Sequence, residues 1–310
     1  MPLILFMSVI SLSTTARNAA LQTIKEQKLP EHFLQIVEEF YLPVAIEIVS
    51  SLSADTPTFI GVQGSQGSGK STCAEFMRIL LAHQFDKKIV VMSIDDFYLT
   101  KAERVEMSKT VHPLFLTRGV PGTHDVAMIE SVFSSARAGE DFEVPVFDKS
   151  IDDRAPQSCW QRVTEKTDVV VLEGWCVGIP PELDVKLTKP VNDLEKFEDS
   201  DAVWRSKVND ALKNSYAELY ARFDKLIALQ APSFDRVFEW RLLQEEKMIA
   251  RIKARGGDTS ETQSPEQISR FIAHYQRLTQ HGLETMPAQA DYLITLNTDH
   301  SYNELKIRAS

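Results

Sequence analysis

The stretch TFIGVQGSQGSGKS, residues 58–71, decides the fold of this chain. From residue 64 it fits the phosphate-binding pattern GxxxxGK[ST], whose glycines let backbone N–H groups turn inward around an anion at the start of a helix. The apolar run before the loop predicts a buried strand, and residues 73–83 predict an amphipathic helix after it. This order separates the motif from an ordinary glycine-rich turn. The predicted nucleotide-binding residues are Gly64, Ser65, Gln66, Gly67, Ser68, Gly69, Lys70, Ser71 and Thr72.

The composition is that of an acidic globular chain. With 310 residues, of which 43% are hydrophobic, the chain can bury the core of one large domain. The formal net charge of −10 argues against a nucleic-acid partner, because binding to a phosphate backbone needs clustered Lys and Arg. The cysteines Cys73, Cys159 and Cys176 are too few and too scattered for a disulfide framework. We expect all three to be packing residues in a reducing compartment, the cytoplasm.

The first ten residues are apolar enough to resemble a signal peptide, but no basic residue precedes the apolar run and no clear cleavage site follows it. We expect either a non-native start upstream of Met7 or a short N-terminus that is buried or frayed. No window of the chain reaches the roughly 18 apolar residues of a membrane span, so we expect no membrane partner.

Apolar periodicity divides the chain into a helical preface and a larger domain. Residues 16–52 carry an apolar stripe at helical spacing, which predicts a helical N-terminal extension over residues 1–57. Within residues 58–310, helical patterns separate most of the strand-like runs 58–62, 89–94, 169–172, 225–229 and 292–296. This alternation predicts an α/β fold with a mostly parallel five-stranded sheet flanked by helices, and the phosphate-binding loop makes it a fold of the P-loop NTPase type. Ligands of such sheets bind outside the carboxyl ends of the strands.

Acidic residues follow two of the predicted strands. Asp95 and Asp96 come directly after the second strand, where a carboxylate would orient an acceptor hydroxyl and take its proton during phosphoryl transfer. The residues alone leave open which of the two is the base, and one of them also fits a helix cap. Glu173 ends the third strand beside Gly174, where an acid that organises Mg²⁺ is expected. The predicted magnesium ligands are Ser71, Glu173 and Asp95.

Two irregular segments, residues 109–125 and 144–160, interrupt the alternation with Pro, Gly, His, Asp and Arg. Long loops inside a compact domain are more often functional than idle, so we predict acceptor-site loops over residues 109–160. Arg118 offers a bidentate partner for an acidic substrate, whereas His124 alone also fits a residue at a helix start. The predicted acceptor-binding residues are Asp96, Tyr98, Arg118, His124, Asp148, Lys149 and Arg154.

A helical segment rich in Arg and Glu follows the fourth strand, over residues 232–255. A mobile helix that presents Arg would neutralise charge on a transferring phosphoryl group and exclude water, which predicts a lid. Arg and Glu at helical spacing also form solvated, ion-paired faces. For Arg251, Lys253 and Arg255 we favour this second interpretation.

The phosphate loop and five further stretches together resemble the D-glycerate 3-kinase type of P-loop kinase, which is similar to uridine kinases, phosphoribulokinase and bacterial pantothenate kinase. The stretches are IDDFY at 94–98, RGVPGTHD at 118–125, PVFDKS at 145–150, LEGW at 172–175 and EWRLLQEE at 239–246. The resemblance covers most of the chain from residue 58 onward. It departs after PVFDKS, where glycerate kinases carry a Gly-Asp-Arg triplet and this chain has IDDR at 151–154.

This resemblance implies an ATP-dependent, Mg²⁺-requiring kinase domain over residues 58–310 that phosphorylates a small polar alcohol, with D-glycerate as the first acceptor to consider. It implies that Asp95 is the base, that Lys70 and Ser71 serve ATP and Mg²⁺, and that Glu173 supports the metal. It also implies that the helix bearing Arg241 closes over the phosphates. Lys70, Asp95 and Arg241 are therefore the predicted catalytic residues.

Two alternatives stay open at this point. The acceptor of the kinase would instead be a nucleoside, a sugar phosphate or pantothenate, and stacking aromatics around Tyr98 and Phe147 would favour a nucleoside. From a different class, the chain would be a switch that only binds or hydrolyses nucleotide. A GTPase needs an NKxD motif and a DxxG after the metal strand, and the sequence has neither.

Overall fold

The computed structural model describes residues 11–243 and 265–308, in which helices cover both faces of a central sheet. The helices are α1 (Thr14–Gln27), α2 (Phe33–Ile36), α3 (Leu42–Ser50), α4 (Lys70–His83), α5 (Lys101–Thr110), α6 (Val126–Ala138), α7 (Asp184–Leu187), α8 (Asp193–Glu198), α9 (Val203–Lys213), α10 (Ser215–Tyr220), α11 (described over residues 234–243) and α12 (Pro265–Gln289). A π-helical turn spans Val37–Tyr41, and 3₁₀ turns span Ile94–Phe97, Pro113–Leu116 and Gln157–Cys159.

Six of the strands form the central sheet, and four form two small antiparallel ribbons, β3 with β6 and β4 with β5. The strands are β1 (Thr58–Gly64), β2 (Ile89–Ser93), β3 (Phe142–Val144), β4 (Phe147–Asp148), β5 (Asp153–Arg154), β6 (Gln161–Val163), β7 (Val169–Gly174), β8 (Lys225–Gln230), β9 (Tyr292–Leu296) and β10 (Tyr302–Ile307). The central order is β10-β9-β8-β1-β7-β2. All neighbours in it pair in parallel except β9 and β10.

This architecture confirms the predicted α/β fold and its mostly parallel sheet. The five apolar runs form β1, β2, β7, β8 and β9. The sixth strand, β10, was not predicted. It is an antiparallel edge strand with four of its six residues exposed, so its sequence YNELKI carries no apolar run to signal it.

The two middle strands of the sheet, β1 and β7, are buried along their whole length. Because successive side chains of a strand point to opposite faces, Val170 and Leu172 enter one core cluster while Val169 and Val171 enter the other. Burial on both faces explains why these strands are continuous apolar runs rather than alternating ones. Their rigid carboxyl ends carry the phosphate loop and Glu173.

The N-terminal helices pack against α4 and share its core cluster. The Phe33 ring lies 5.3 Å from that of Phe76 on α4, and the Tyr41 hydroxyl is hydrogen-bonded to that of Tyr302 on β10. The Thr72 hydroxyl at the start of α4 donates to Gln27 at 3.3 Å. The helical prediction for this extension therefore agrees with α1, α2 and α3, whereas the division of the chain at residue 57 stays a prediction.

Several sequence predictions lie outside the described residues: those for residues 1–10, for the part of the lid over residues 244–255, and for Arg251, Lys253 and Arg255. Among the described residues, no helix combines the length and the apolar character that crossing a membrane requires.

The prediction that all cysteines are packing residues was wrong for one of them. Cys73 and Cys176 are buried, but Cys159 is exposed because it ends the solvent-facing 3₁₀ turn Gln157–Cys159. None of the three forms a disulfide in the structure.

Candidate functional site

The phosphate loop connects the carboxyl end of β1 to the first turn of α4. Gly67 and Gly69 have φ angles of +78° and +90°, a left-handed conformation that disfavours any residue with a Cβ. A Cβ on Gly67 would also lie 3.0 Å from the Cβ of Trp240 on α11. The hydroxyls of Ser65 and Ser68 are buried and have no hydrogen-bond partner in the described structure. Orphaned donors in a loop of this shape fit a site completed by a ligand or by water.

Glu173 lies beside this loop because β7 pairs with β1, with Glu173 opposite Val62. The Ser71 hydroxyl donates to one carboxylate oxygen of Glu173 at 2.9 Å. The other oxygen is buried without a hydrogen-bond partner in the described structure, and it lies 3.9 Å from the Lys70 ammonium. A hydroxyl, a carboxylate and an orphaned acceptor oxygen match the oxygen ligands that Mg²⁺ prefers. Ser71 and Glu173 thus meet as the sequence predicts, and they fit a magnesium ion.

Asp95 follows β2 in the 3₁₀ turn Ile94–Phe97, just beyond Ser93, which pairs with Glu173. Its carboxylate accepts a hydrogen bond from the Tyr98 hydroxyl at 2.8 Å and another from the Lys149 ammonium at 3.1 Å. Burial would raise the pKa of Asp95, but the charges of Lys149 and Lys70 and the Tyr98 hydrogen bond together hold this pKa below its ordinary value. Asp95 is therefore ionised and lies within the electrostatic reach of the phosphate-loop lysine.

Asp96 has a different environment although it is the next residue. Its carboxylate accepts the backbone N–H of Phe147 at 3.2 Å, which ties β4 to the end of β2. Burial raises the pKa of Asp96, and the neighbouring charge of Asp95 adds to that rise against the Phe147 hydrogen bond. The two acids thus differ in their contacts and in the direction in which their pKa is shifted. This contrast supports Asp95 as the base, which stays a prediction.

Tyr98 and His124 stack with their ring centroids 4.6 Å apart and their planes 20° from parallel. Both rings are buried, and Phe147 meets the Tyr98 ring edge-on at 5.2 Å. The Nδ1 atom of His124 lies 2.6 Å from the hydroxyl of Tyr216 on α10. Burial lowers the pKa of His124 to about 4, so the imidazole is neutral near pH 7. His124 is therefore a neutral polar group in the wall of the site rather than a cation.

The Arg118 guanidinium lies over the Phe147 ring, 5.3 Å from its centroid. It forms a salt bridge with Asp152, which also pairs with Arg104. Asp152 lies in the IDDR stretch, where this chain departs from the glycerate-kinase triplet, and it has a φ of +55°, the left-handed conformation. Asp152 therefore has a backbone conformation that favours glycine, and its carboxylate is paired with Arg118.

Arg104 is a residue that the sequence analysis missed. Its side chain is 1% exposed, and it donates to the backbone carbonyls of Leu99, Leu116 and Asp152. These bonds join α5 to both irregular segments and hold the predicted acceptor loops together. Nothing in the sequence signals this role, because Arg104 sits in a helix with a mostly polar pattern, where an arginine is expected to face solvent.

The remaining predicted acceptor residues divide into one available charge and two that hold the loop. The Lys149 side chain is 63% exposed beside Asp95. Arg154 donates to the Tyr98 carbonyl at 2.9 Å and to Asp125 at 3.0 Å, and its side chain is only 13% exposed. Asp148 accepts the backbone N–H and the hydroxyl of Ser150, which closes a turn. The geometry thus gives Arg154 and Asp148 structural contacts, and their acceptor-binding roles stay predictions.

The described part of the predicted lid, α11, lies over the phosphate loop. The Arg241 backbone nitrogen is 3.9 Å from the position of a Gly67 Cβ, and the Arg241 guanidinium is 5.8 Å from the Phe271 ring on α12. A cavity of about 530 Å³ opens beside the loop between α11 and the turn after β9, lined by Gly67, Glu239, Trp240, Leu243, Thr298, Asp299 and His300. Trp240 and His300 lie 4.4 Å apart in its wall. This cavity has room for a nucleotide base next to the phosphate site.

Comparisons with known proteins agree with this geometry. Residues 59–194 match the model of the phosphoribulokinase / uridine kinase family. The "uncharacterized kinase mug58" of Schizosaccharomyces pombe is 35% identical over 252 residues, which cover 78% of this chain and 83% of that protein. The chloroplastic D-glycerate 3-kinase of Arabidopsis thaliana is 29% identical over 77% of this chain and 48% of that protein. The structure of D-glycerate 3-kinase from Cryptococcus neoformans var. grubii superposes with a TM-score of 0.69 at 25% identity, covering 89% of this chain and 99% of that one.

Proposed function

This chain belongs to the phosphoribulokinase / uridine kinase family of ATP-dependent P-loop kinases, and from that premise we propose that it transfers the γ-phosphoryl group of Mg-ATP to D-glycerate. The observation that carries the proposal is the surroundings of Asp95. This ionised carboxylate lies within the electrostatic reach of Lys70 and contacts a solvent-accessible cation, Lys149. A base between the phosphate loop and a positively charged wall suits an acceptor that carries both a hydroxyl and a negative charge.

The chemistry assigns one task to each group. Asp95 orients the primary hydroxyl of the acceptor and takes its proton as the new O–P bond forms and the bond to ADP breaks. Lys70 and the backbone N–H groups of the phosphate loop hold the β- and γ-phosphates. Ser71 and Glu173 would hold Mg²⁺, which neutralises charge on those phosphates when it is bound. Arg241, on the helix over the loop, would add positive charge and exclude water.

The charges around Asp95 support an acidic acceptor. Lys149 is paired with Asp95, but its side chain is 63% exposed and can also meet a carboxylate from solvent, and the Arg118 side chain is 28% exposed despite its pair with Asp152. Arg154 contributes less, because Asp125 already neutralises it. We therefore place the carboxylate of D-glycerate between Lys149 and Arg118, with its primary hydroxyl at Asp95.

The structure supports this choice over a nucleoside acceptor. A nucleobase would need an open aromatic face, but the Tyr98 and Phe147 rings are only 3% and 6% exposed. His124 covers the face of Tyr98, and the Arg118 guanidinium lies over Phe147. The similarity of this chain to two D-glycerate 3-kinases also favours glycerate as the acceptor.

The three unpaired cysteines fit a reducing compartment, and we place the protein in the cytoplasm.

A substrate panel tests this proposal. ADP release from Mg-ATP is measured with D-glycerate, L-glycerate, pantothenate, uridine and ribulose 5-phosphate, and the phosphorylated product is identified by mass. We expect turnover well above the ATP-only background with D-glycerate and little with the other compounds. Turnover with another member of the panel in its place would overturn glycerate as the acceptor, and turnover with none would reopen the nucleotide-switch alternative.

A further inference from the structure

The imidazole of His124 is enclosed by two tyrosines that contact it in different ways. Tyr98 stacks on its face, whereas Tyr216 meets it edge-on, with centroids 5.9 Å apart and planes at 70°. His124 is 5% exposed and Tyr216 is 1% exposed, so the hydrogen bond between the two side chains is shielded from water. The hydrogen bond of 2.6 Å between His124 Nδ1 and the Tyr216 hydroxyl therefore decides where the imidazole carries its proton.

The direction of this hydrogen bond follows from the other partner of Tyr216. The backbone N–H of Gly122 donates to the Tyr216 oxygen at 3.1 Å. The hydroxyl has one proton of its own, and within residues 11–243 and 265–308 the only acceptor it meets is His124 Nδ1. If Nδ1 carried the proton instead, the buried hydroxyl proton would have no acceptor. Tyr216 is therefore the donor, and the neutral ring carries its proton on Nε2.

The Nε2–H group is a buried donor that has no partner among the residues that the structure describes. It lies on the edge of the ring that faces away from Tyr216. The charge of Asp95 opposes the effect of burial on the pKa of His124. Tyr98, stacked on the same ring, donates its hydroxyl to Asp95. An unused donor thus stands in the same wall of the site as the base.

We propose that Tyr216 fixes the tautomer of His124 so that the Nε2–H group donates a hydrogen bond to the acceptor hydroxyl next to the one that is phosphorylated. The phosphorylated oxygen itself is a poor partner, because a hydrogen bond to its lone pair would weaken its attack. The site thus selects acids with two neighbouring hydroxyls, and in D-glycerate the partner is the hydroxyl on C2. The identity of this partner rests on the proposed function, whereas the tautomer does not.

The tautomer is tested without any substrate. Long-range ¹H–¹⁵N NMR spectra of the full chain, labelled on histidine, distinguish a pyrrole-like Nε2 from a pyrrole-like Nδ1, and His124→Gln assigns the signal among the seven histidines. We expect Nε2–H in the wild type and a mixture of tautomers in Tyr216→Phe, which loses only the hydroxyl. An Nδ1–H tautomer in the wild type, or an unchanged signal in Tyr216→Phe, would overturn the proposed role of Tyr216.

The hydroxyl partner is tested by pairing variants with substrates. D-glycerate is compared with 3-hydroxypropanoate, which lacks the C2 hydroxyl but keeps the primary hydroxyl and the carboxylate. We expect His124→Phe to lower kcat/KM for D-glycerate by about tenfold or more while changing that for 3-hydroxypropanoate much less. His124→Gln should recover much of the loss, since its side-chain N–H reaches the position of Nε2. The kcat/KM of Tyr216→Phe for D-glycerate should lie between the values for His124→Phe and the wild type.

A purely structural role for His124 predicts a different pattern. In every variant, kcat/KM would then fall by the same factor for D-glycerate and for 3-hydroxypropanoate, and His124→Gln would be no more active than His124→Phe. That pattern would overturn the proposal. If His124→Phe does not fold, as a thermal melt shows, His124→Gln and Tyr216→Phe carry the same comparison. If the wild type turns over no D-glycerate, the proposed function and the hydroxyl partner fail together, and the NMR result decides the tautomer separately.

Discussion

The Ser71 hydroxyl donates a hydrogen bond of 2.9 Å to the Glu173 carboxylate, although the two residues are 102 positions apart in the chain. The contact exists because β1 and β7 are parallel neighbours, so the start of α4 and the end of β7 meet at one edge of the sheet. The Ser71 hydroxyl, the carboxylate oxygen that it contacts and the second, orphaned carboxylate oxygen are thereby brought together next to Lys70.

Replacing Glu173 should weaken magnesium binding. Glu173→Gln keeps an acceptor for the Ser71 hydroxyl but removes the negative charge, so we expect the half-saturating Mg²⁺ concentration to rise by about tenfold to a hundredfold. The measurement is a Mg²⁺ titration of ADP release at saturating ATP. Glu165→Gln, an exposed acid paired with Lys88 on the surface, is the matched control and should leave the titration unchanged. Equal Mg²⁺ requirements in Glu173→Gln and the wild type would remove Glu173 from the metal site.

Replacing Gly67 should both strain the backbone of the phosphate loop and hinder the packing of α11 over that loop. Gly67 and Gly139 have similar positive φ angles, +78° and +71°, but only at Gly67 would a Cβ approach another residue, Trp240, at 3.0 Å. We expect both Ala variants to lose about 1–2 kcal/mol of folding stability from the left-handed backbone. Only Gly67→Ala should also weaken ATP binding and change Trp240 fluorescence. Equal ATP affinity in the two variants would contradict the contact between α11 and the loop.

Lys149 should set the acid limb of the pH profile. Because its charge lowers the pKa of Asp95, we expect this proposed base to stay ionised, and activity to be kept, at pH values below the ordinary aspartate pKa. Removing the charge in Lys149→Gln raises this pKa, so activity should be lost at a higher pH as the pH falls. The pH dependence of kcat at saturating substrate measures the shift. Lys306→Gln, similarly exposed and paired with Glu304, should not move it. An acid limb that shifts downward or stays in place in Lys149→Gln would contradict this coupling.

Asp152 should moderate the affinity for the acceptor. Asp152→Gly suits the φ of +55° and releases Arg118 from its salt bridge, while Arg104 keeps its bonds to backbone carbonyls. We expect the KM for D-glycerate to fall by about fivefold, which corresponds to about 1 kcal/mol, with kcat nearly unchanged. Steady-state kinetics and a thermal melt check this together. A higher KM at unchanged stability would show that Arg118 does not bind the substrate.

The sequence predicted the parts of this molecule that local patterns encode. The phosphate loop, the five parallel strands and the acid at the end of β7 follow from glycine spacing and apolar runs that continue because β1 and β7 are buried on both faces. Edge strand β10 was not predicted, because its sequence lacks an apolar run.

The supporting contacts of the site could not be predicted, because they join residues far apart in the chain. Arg104 bonds to carbonyls as far away as Asp152, and Tyr216 reaches His124 across 92 positions. Such pairs leave no periodic signal in a single sequence, and only the packing of α5 and α10 against the loops brings them together.

The most direct test of the proposed kinase is the formation of phosphoglycerate from D-glycerate and Mg-ATP by the wild type, Asp95→Asn and Asp96→Asn. Asparagine keeps the size of the side chain and an acceptor oxygen in both variants, so the pair isolates the proton acceptor. We expect kcat to fall by about 10² to 10⁴-fold in Asp95→Asn and by less than tenfold in Asp96→Asn. Near-normal kcat in Asp95→Asn, or a larger loss in Asp96→Asn, would contradict Asp95 as the base and the site built around it.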